Sequence, residues 1–222
     1  MVSESPSDLT YRKLPVRRVA RVLVVVALVI TGIGGYSRLQ HRQQIVQATA
    51  CGQQEICFRS TDQIDFPTYG NGYPSNLNDC LFAAAADWRI IVLHQTPSTA
   101  DVIADYRRAT GGGHTGIDTE TFYNYWTQHG IAGQRIRGWQ TINMVDINDV
   151  QRAVRRHKAL LAIFLFRKGD TVGGVRTEVG GHAAIIDGYS AKGPLVVTWG
   201  STHQMTWSEY WTSVRSLHAI ER

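Results

Sequence analysis

The order of the hydrophobic patterns along the chain limits its possible folds more than any other feature. The first half after residue 64 carries helical patterns, beginning with an apolar, Ala-rich stretch at 81–93. From residue 160 onward, short apolar runs bounded by glycine or charged turns predict buried strands. Helices first and strands later indicate an α+β domain and not alternating βαβ units.

The predicted elements follow from periodicity and from capping residues. The expected helices are 81–93, 98–108, 119–129 and 146–158, with a helical turn at 207–211. The expected strands are 160–166, 183–186, 195–198 and 217–220. The polar, Gln-rich stretch 37–60 is typical of a stalk, so the compact domain is expected to cover 61–222.

An uncharged apolar run, Val22–Gly35, follows a basic leader near the N-terminus. Its 14 residues are fewer than the roughly 20 that span a bilayer, but flanking residues extend it to 19–36. We favour a single-pass anchor there, with 1–18 cytoplasmic and the domain extracytoplasmic, because the Lys/Arg excess precedes the run. A signal peptide cleaved near Ala48–Ala50, giving a secreted protein, and a buried core helix are the alternatives.

The distribution of charge argues against a nucleic-acid partner. The formal net charge is +5, but residues 1–36 hold five Lys/Arg against two acids. The rest of the chain therefore carries only +2 on 18 Lys/Arg and 16 Asp/Glu. A near-neutral domain lacks the basic stripe expected of a phosphate binder.

Three cysteines, Cys51, Cys57 and Cys80, give an odd count outside the cytosol. This count suggests one disulfide and one free thiol. Cys51 and Cys57 are close in sequence and could pair, which would leave Cys80 free. The alternative is that all three are reduced.

Cys80 and His182 are the candidate catalytic residues. Cys80 lies at the predicted first turn of the Ala-rich helix, where unpaired N–H groups and the helix dipole are expected to lower a thiol pKa. His182 follows two glycines and precedes an apolar strand, which would hold a base on a separate element. Each residue has a plainer interpretation, a buried inert cysteine and a histidine at a strand edge.

The strand after His182 ends in Thr198-Trp199-Gly200. A hydroxyl there could orient an imidazole, and an indole could shield that bond from water; a packed aromatic cluster is the alternative. No histidine pairs with cysteines or acids at metal-ligand spacing, so we expect neither a metal nor a cofactor.

Together these blocks resemble the papain-like cysteine peptidase superfamily. Residues 181–200 (GHAAIIDGYSAKGPLVVTWG) are similar to its histidine strand and to the strand that carries Asn-Ser-Trp-Gly. A closer similarity is to bacterial and phage-associated C39-like proteins. In these, Trp-Pro-x-Tyr-Gly-Asn-Asp precedes Gly-Asp-Cys and an Ala-rich helix, as 66–71 and 78–80 do here.

The resemblance implies a papain-like fold with Cys80 as nucleophile, His182 as base and the Asn71 amide in the oxyanion hole. This sequence departs from the pattern at three places. Asn78 replaces a glycine, and the loop before Cys80 is about three residues longer than the pattern, so Asn76 or Asn78 could serve in the oxyanion hole instead of Asn71. Val197 stands where the family has the asparagine that orients the histidine, which leaves Thr198 as the nearest hydroxyl.

The expected function is therefore an extracytoplasmic cysteine peptidase or related thiol hydrolase acting on a peptide or a cell-wall peptide. One alternative is an NlpC/P60-like peptidoglycan amidase, although Asp-Cys-Leu-Phe and the interval of 102 residues between Cys80 and His182 are unlike that group. A catalytically inactive papain-like binding module is the other alternative, because of Val197.

Overall fold

The computed structural model describes residues 56–63, 65–71 and 77–222. They belong to one compact unit, Gln44–Arg222. The predicted leader 1–18 and anchor 19–36 lie outside the described residues. Among the helices that are described, none combines the length and the apolar character needed to cross a membrane.

The described part of the fold consists of five helices, a seven-stranded sheet and a small hairpin. The helices are α1 (Cys80–Leu93), α2 (Thr99–Thr110), α3 (Thr119–Gln128), α4 (Ile147–His157) and α5 (Trp207–Ser213). The sheet strands are β1 (Phe58–Arg59), β2 (Gly138–Thr141), β3 (Leu160–Phe166), β6 (Gly180–Tyr189), β7 (Pro194–Thr198), β8 (Ser201–Gln204) and β9 (Val214–Glu221). The hairpin strands are β4 (Thr171–Val172) and β5 (Val175–Arg176).

The sheet has the order β2-β9-β3-β6-β7-β8, and its neighbouring strands are antiparallel. The short strand β1 also pairs with β6, with Phe58 opposite Tyr189. The sheet therefore extends into the stretch predicted as a stalk. The predicted α+β class is confirmed.

The two faces of the sheet bury separate hydrophobic cores. On β6, Ala183 and Ile185 pack with α1, α2 and α3, whereas Ala184 and Ile186 pack with α4 and α5. This alternation follows from the two-residue period of a strand. Because both faces are covered, β6 is apolar along its middle and lies at the centre of the fold.

Helix α1 is buried along most of its length. Four consecutive alanines, 83–86, favour helix and allow it to pack closely on the sheet. The helix begins at Cys80, where the backbone carbonyl of Asp79 accepts from the N–H groups of Phe82 and Ala83. It ends at His94, which has left-handed backbone angles and donates its N–H to Ile90. The packing of α1 fixes where its first residue, Cys80, meets the sheet.

Candidate active site

A cleft of about 870 Å³ opens where the N-terminus of α1 meets the start of β6. Cys80, His182 and Asn71 all line it, and so does Trp199 from the β7–β8 turn. The structure thus brings together three of the four predicted catalytic residues at one surface. The fourth, Thr198, is buried directly behind them.

Cys80 has a free thiol and occupies the first position of α1. The backbone N–H of Ala183, the residue after His182, faces this thiol. Cys57 is disulfide-bonded, and its predicted partner, Cys51, lies outside the described residues.

The pKa of the Cys80 thiol is raised and not lowered as expected. Burial is the main cause, and the neighbouring Asp79 carboxylate adds to it. The N–H groups of Ala183, Leu81 and Cys80 act in the opposite direction but do not compensate for burial. The sequence indicated the amides of the helix N-terminus correctly but could not show that the protein around the half-buried thiol outweighs them.

Asp79 presents a buried carboxyl group next to Cys80. The residue is only 1% exposed, and neither carboxylate oxygen has a hydrogen-bond partner in the part of the chain that is described. A side chain on Gly70 would lie 3.0 Å from Asp79 Oδ2, so the carboxyl packs against that turn. Burial raises the pKa of Asp79 to about 6. Asp79 also gives α1 no side-chain cap.

His182 lies near the start of β6, opposite Phe164 of β3. Its Nε2 is 2.5 Å from Thr198 Oγ1, and the Trp199 indole stacks on the imidazole with ring centroids 4.8 Å apart. Phe166 approaches the ring at 6.0 Å. Burial among these groups lowers the pKa of His182 to about 4. The imidazole is therefore oriented, shielded and neutral at physiological pH.

The alternation along β7 explains why Thr198 and not Val197 contacts the histidine. Val197 is fully buried in the core that contains α1. Thr198 follows it and must point to the other face of the sheet. Its hydroxyl meets His182 there. An orienting group is thus present one position later than the papain-like pattern places it.

Trp199 and Gly200 form the two-residue turn between β7 and β8, with Thr198 opposite Ser201. Both turn residues have positive φ, 47° and 83°. Two-residue hairpin turns with positive φ at both positions match strand twist but are unusual for a tryptophan. A side chain on Gly200 would also lie 2.9 Å from Thr68 Cγ2, so only glycine fits. This turn holds the indole over His182.

Of the candidate oxyanion-hole asparagines, Asn76 lies outside the described residues, and Asn71 and Asn78 differ in their surroundings. Asn71 is 7% exposed, lines the cleft and donates its backbone N–H to Thr68. Asn78 is exposed, and its side chain donates to the carbonyl of His114. Its φ of 59° lies in the left-handed region, which glycine and asparagine adopt most readily. The replacement of the pattern's glycine by Asn78 therefore preserves the backbone path into Cys80.

Sequence reasoning did not single out two polar residues that line the cleft. Ser201 and His203 lie on β8, and Ser201 Oγ is 3.3 Å from His203 Nε2. Burial lowers the pKa of His203. The Trp199 indole, which stacks on His182, also makes an edge-to-face contact with His203, with 6.1 Å between the ring centroids. The only available signal was the i, i+2 spacing on a polar strand.

No cluster of three or more His, Cys, Asp or Glu side chains within the described ranges could hold a metal ion. Comparison with models of known protein families finds no match. A search of curated proteins also finds no match.

Proposed function

We propose that this protein is a papain-like thiol hydrolase that cleaves amide bonds in peptides, with Cys80 as nucleophile and His182 as base. One observation carries the proposal. A free cysteine at a helix N-terminus and a histidine oriented by a hydroxyl line the same cleft. A nucleophile, a base within the same site and a third group that orients the base are the general requirements of this chemistry.

The bond to Thr198 determines which nitrogen of His182 can act as a base. When Nε2 carries the proton and donates it to Thr198 Oγ1, Nδ1 has the free lone pair. Nδ1 then takes the proton from the Cys80 thiol while the sulfur attacks the carbonyl carbon of the scissile amide. The imidazolium returns this proton to the leaving nitrogen as the C–N bond breaks.

The acyl group is then attached to Cys80 as a thioester. A water molecule gives one proton to His182 Nδ1 and attacks the thioester carbonyl. Collapse of this intermediate releases the carboxylic acid, and the thiolate takes the proton back from the imidazolium. The negative oxygen formed in both steps would be stabilised by the Cys80 N–H at the start of α1 and by the Asn71 side-chain amide.

The resting pair is neutral, because burial raises the pKa of Cys80 and lowers that of His182. Proton transfer therefore accompanies the attack and does not precede it. The acid limb of the pH–rate profile is expected near pH 4, where His182 becomes protonated. A preformed thiolate–imidazolium pair is not required for this mechanism.

The same neutral pair supports a second candidate function, an inactive papain-like module that binds peptides. A thiol with a raised pKa and a histidine with a lowered pKa are poor partners for covalent catalysis. In this case the cleft would bind its ligand reversibly.

We also propose that the domain lies outside the cytoplasm behind the 19–36 anchor. The basic leader supports this orientation. Protease added to intact and to permeabilised cells should digest the domain in both samples. Protection in intact cells would contradict the proposed orientation.

The decisive experiment follows alkylation of Cys80 by iodoacetamide in the full-length protein, read by mass spectrometry of the Cys80 peptide. We expect His182→Ala to slow labelling at pH 7 about 10-fold or more, because the general base is lost. His157→Ala on α4, outside the cleft, is the matched control. Cys80→Ala should abolish hydrolysis of an unfolded protein substrate.

If labelling is unchanged in His182→Ala and hydrolysis persists in Cys80→Ala, the thiol hydrolase assignment is wrong. If the parent protein hydrolyses no peptide but binds peptides reversibly, the binding module is the correct function.

A further inference from the structure

The surface where the chain enters the domain is basic. Helix α4 ends in Arg155, Arg156 and His157, and Lys158 follows it. Arg155, Arg156 and Lys158 are exposed, and none of them forms an ion pair with a carboxylate of the described residues. We call these three residues the basic corner. Cations in the last turn of a helix offset its dipole, but these three also present a positive surface to solvent.

Aromatic contacts hold the basic corner against strand β1. The guanidinium carbon of Arg155 lies 5.1 Å from the ring centroid of Phe58 and 5.3 Å from that of Tyr189. Its Nε donates to the Tyr189 hydroxyl at 2.5 Å, and Lys158 Nζ lies 5.5 Å from the Phe58 centroid. Because an aromatic face attracts a cation, two of the three charges are held beside the first described strand.

Ile56 adds an exposed apolar side chain at the same end of the domain. It is 43% exposed and lies two residues before Phe58, the ring that Arg155 and Lys158 both contact. Proteins that lie on a bilayer combine such groups, with the apolar side chain among the acyl chains and the cations at the lipid phosphates. The basic corner and Ile56 together have the composition of a lipid-binding surface.

Acidic residues near the basic corner balance only part of its charge. Asp149 pairs with Arg152, one turn earlier on α4. Glu221 acts on His157, where it opposes the lowering of the pKa by burial and by Arg156. Since one carboxylate faces three cations, the corner keeps a net positive charge. Such a charge is attracted to a surface of closely spaced anions.

Strand β3 places the basic corner at one end of the sheet and the cleft at the other. Lys158 comes two residues before β3 begins at Leu160. The strand ends at Phe166, whose ring lies 6.0 Å from that of His182. A strand of 7 residues spans about 23 Å. Contact between the basic corner and a flat surface therefore does not cover the cleft.

We propose that the basic corner and Ile56 dock the domain on an anionic phospholipid bilayer, the one that holds the proposed 19–36 anchor. The chain leads from Ile56 to that segment, so the bilayer is the anionic surface within reach of the corner. Each Lys or Arg near such a surface strengthens docking about 5-fold, and salt screens the attraction. The inference rests on the proposed anchor and not on the chemistry of Cys80.

The test compares two lysines that flank β3 in the full-length protein, reconstituted in vesicles. Lys158 belongs to the basic corner, and Lys168, exposed in the turn after β3, is the internal control. A membrane-impermeant reagent acetylates both, and mass spectrometry gives the Lys158/Lys168 labelling ratio. We expect this ratio to be about 5-fold lower in vesicles containing about one-third phosphatidylglycerol than in pure phosphatidylcholine. Raising the salt from about 0.1 M to about 1 M should restore it.

Two charge reversals form a matched pair. Arg156→Glu changes the basic corner, whereas Arg107→Glu changes an exposed arginine in the last turn of α2. We expect Arg156→Glu to remove most of the difference between the two lipids. Arg107→Glu should leave that difference unchanged. Each variant is compared with itself in the two lipids, so an altered intrinsic reactivity of Lys158 cancels.

Equal labelling ratios in the two lipids would overturn the proposal, and so would protection of Lys158 that persists in Arg156→Glu. Protection by a DNA duplex but not by phosphatidylglycerol would also overturn it and identify nucleic acid as the partner. Flotation of the vesicles separates the anchor from the docking surface. Protein that floats with both lipids but shows no protection is anchored without docking. Protein that floats with neither lipid refutes the anchor and the docking together.

Discussion

The candidate site has an imidazole half around His182 and a thiol half around Cys80, and neighbouring groups support the two side chains to different degrees. The imidazole half is fully supported, because His182 has a hydroxyl partner in Thr198 and an indole stacked on its ring. The thiol half is not, because Cys80 follows a buried carboxyl group without a hydrogen-bond partner in the described chain. One half is organised for orientation, and the other is left electrostatically unfavourable for a thiolate.

This difference indicates where control over reactivity lies. Orientation of a base requires only local contacts, which β7 and its turn supply. Ionisation of a buried thiol depends on the balance between amides that stabilise negative charge and a carboxylate that opposes it. The ionisation of the Cys80 thiol is therefore expected to depend more on pH and on bound substrate than the orientation of His182 does.

The largest expected effect tests the imidazole half by removing only the proposed base, His182. His182→Gln keeps an amide N–H that can reach Thr198 but has no group that takes a proton at neutral pH. We expect kcat/KM to fall about 10³-fold, measured on an unfolded protein substrate. A fall of less than 10-fold would mean that His182 orients the substrate and does not act as the base.

The next effect tests the thiol half through Asp79. Its folded pKa of about 6 lies above the ordinary 3.8, so the folded protein binds this proton more tightly than the unfolded chain. Protonation of Asp79 therefore favours the folded state. This stabilisation is fully present below about pH 4 and is lost as the pH rises through 6. The neutral Asp79→Asn should raise the free energy of unfolding at pH 7.5 by up to about 3 kcal/mol and change little at pH 4.

Urea unfolding at both pH values measures this effect. Asp118→Asn provides a control of opposite sign, because hydrogen bonding to Thr121 lowers the pKa of Asp118. Equal stability of Asp79→Asn and the parent at pH 7.5 would show that Asp79 is already neutralised by a partner. Iodoacetamide should label Cys80 faster in Asp79→Asn than in the parent protein, since the charge that opposes the thiolate is removed.

A third variant tests whether the two faces of β7 differ as described, with Val197 in the core and Thr198 at His182. Val197→Asn restores the residue of the papain-like pattern but buries an amide in the core beneath α1. We expect a loss of about 2 kcal/mol in the free energy of unfolding and no gain in kcat/KM. Higher activity would mean that position 197 reaches His182 and that the strand register differs from Ile185 opposite Val197.

The smallest effect concerns the hydroxyl that orients His182. Thr198→Val keeps the shape but removes the partner of Nε2, and we expect kcat/KM to fall about 10-fold with little change in KM. Thr198→Ser retains the hydroxyl and should keep most of the activity. Equal losses in the two variants would indicate a packing role for Thr198 and no role for its hydroxyl.

Much of the fold could be predicted because its helices carry strong local signals. The observed α1 differs from the predicted 81–93 only by starting at Cys80. Strand β6 was predicted only at 183–186, because glycines interrupt both of its ends. Gly188 is required there, since a side chain would lie 2.4 Å from the carbonyl of Phe58 on β1. Long-range pairing of that kind leaves no local hydrophobic pattern.

The remaining strands escaped prediction for related reasons. Strand β8, STHQ, is polar and half-buried throughout, and β4 and β5 have two residues each. The sequence placed Cys80, His182 and Thr198 on suitable elements. It could not show that Val175 and Val179 line the same cleft, nor the sign of the change in the Cys80 pKa, because both depend on tertiary packing.

The pairing of β1 with β6 determines where the chain enters the domain. Phe58 lies opposite Tyr189, seven residues along β6 from His182. At about 3.3 Å per strand residue, the two points are roughly 23 Å apart. Whatever is joined to the chain before Phe58, whether a lipid-embedded tether or an affinity tag, is attached at a site remote from His182. A bulky polypeptide can therefore reach the cleft without passing the point of attachment.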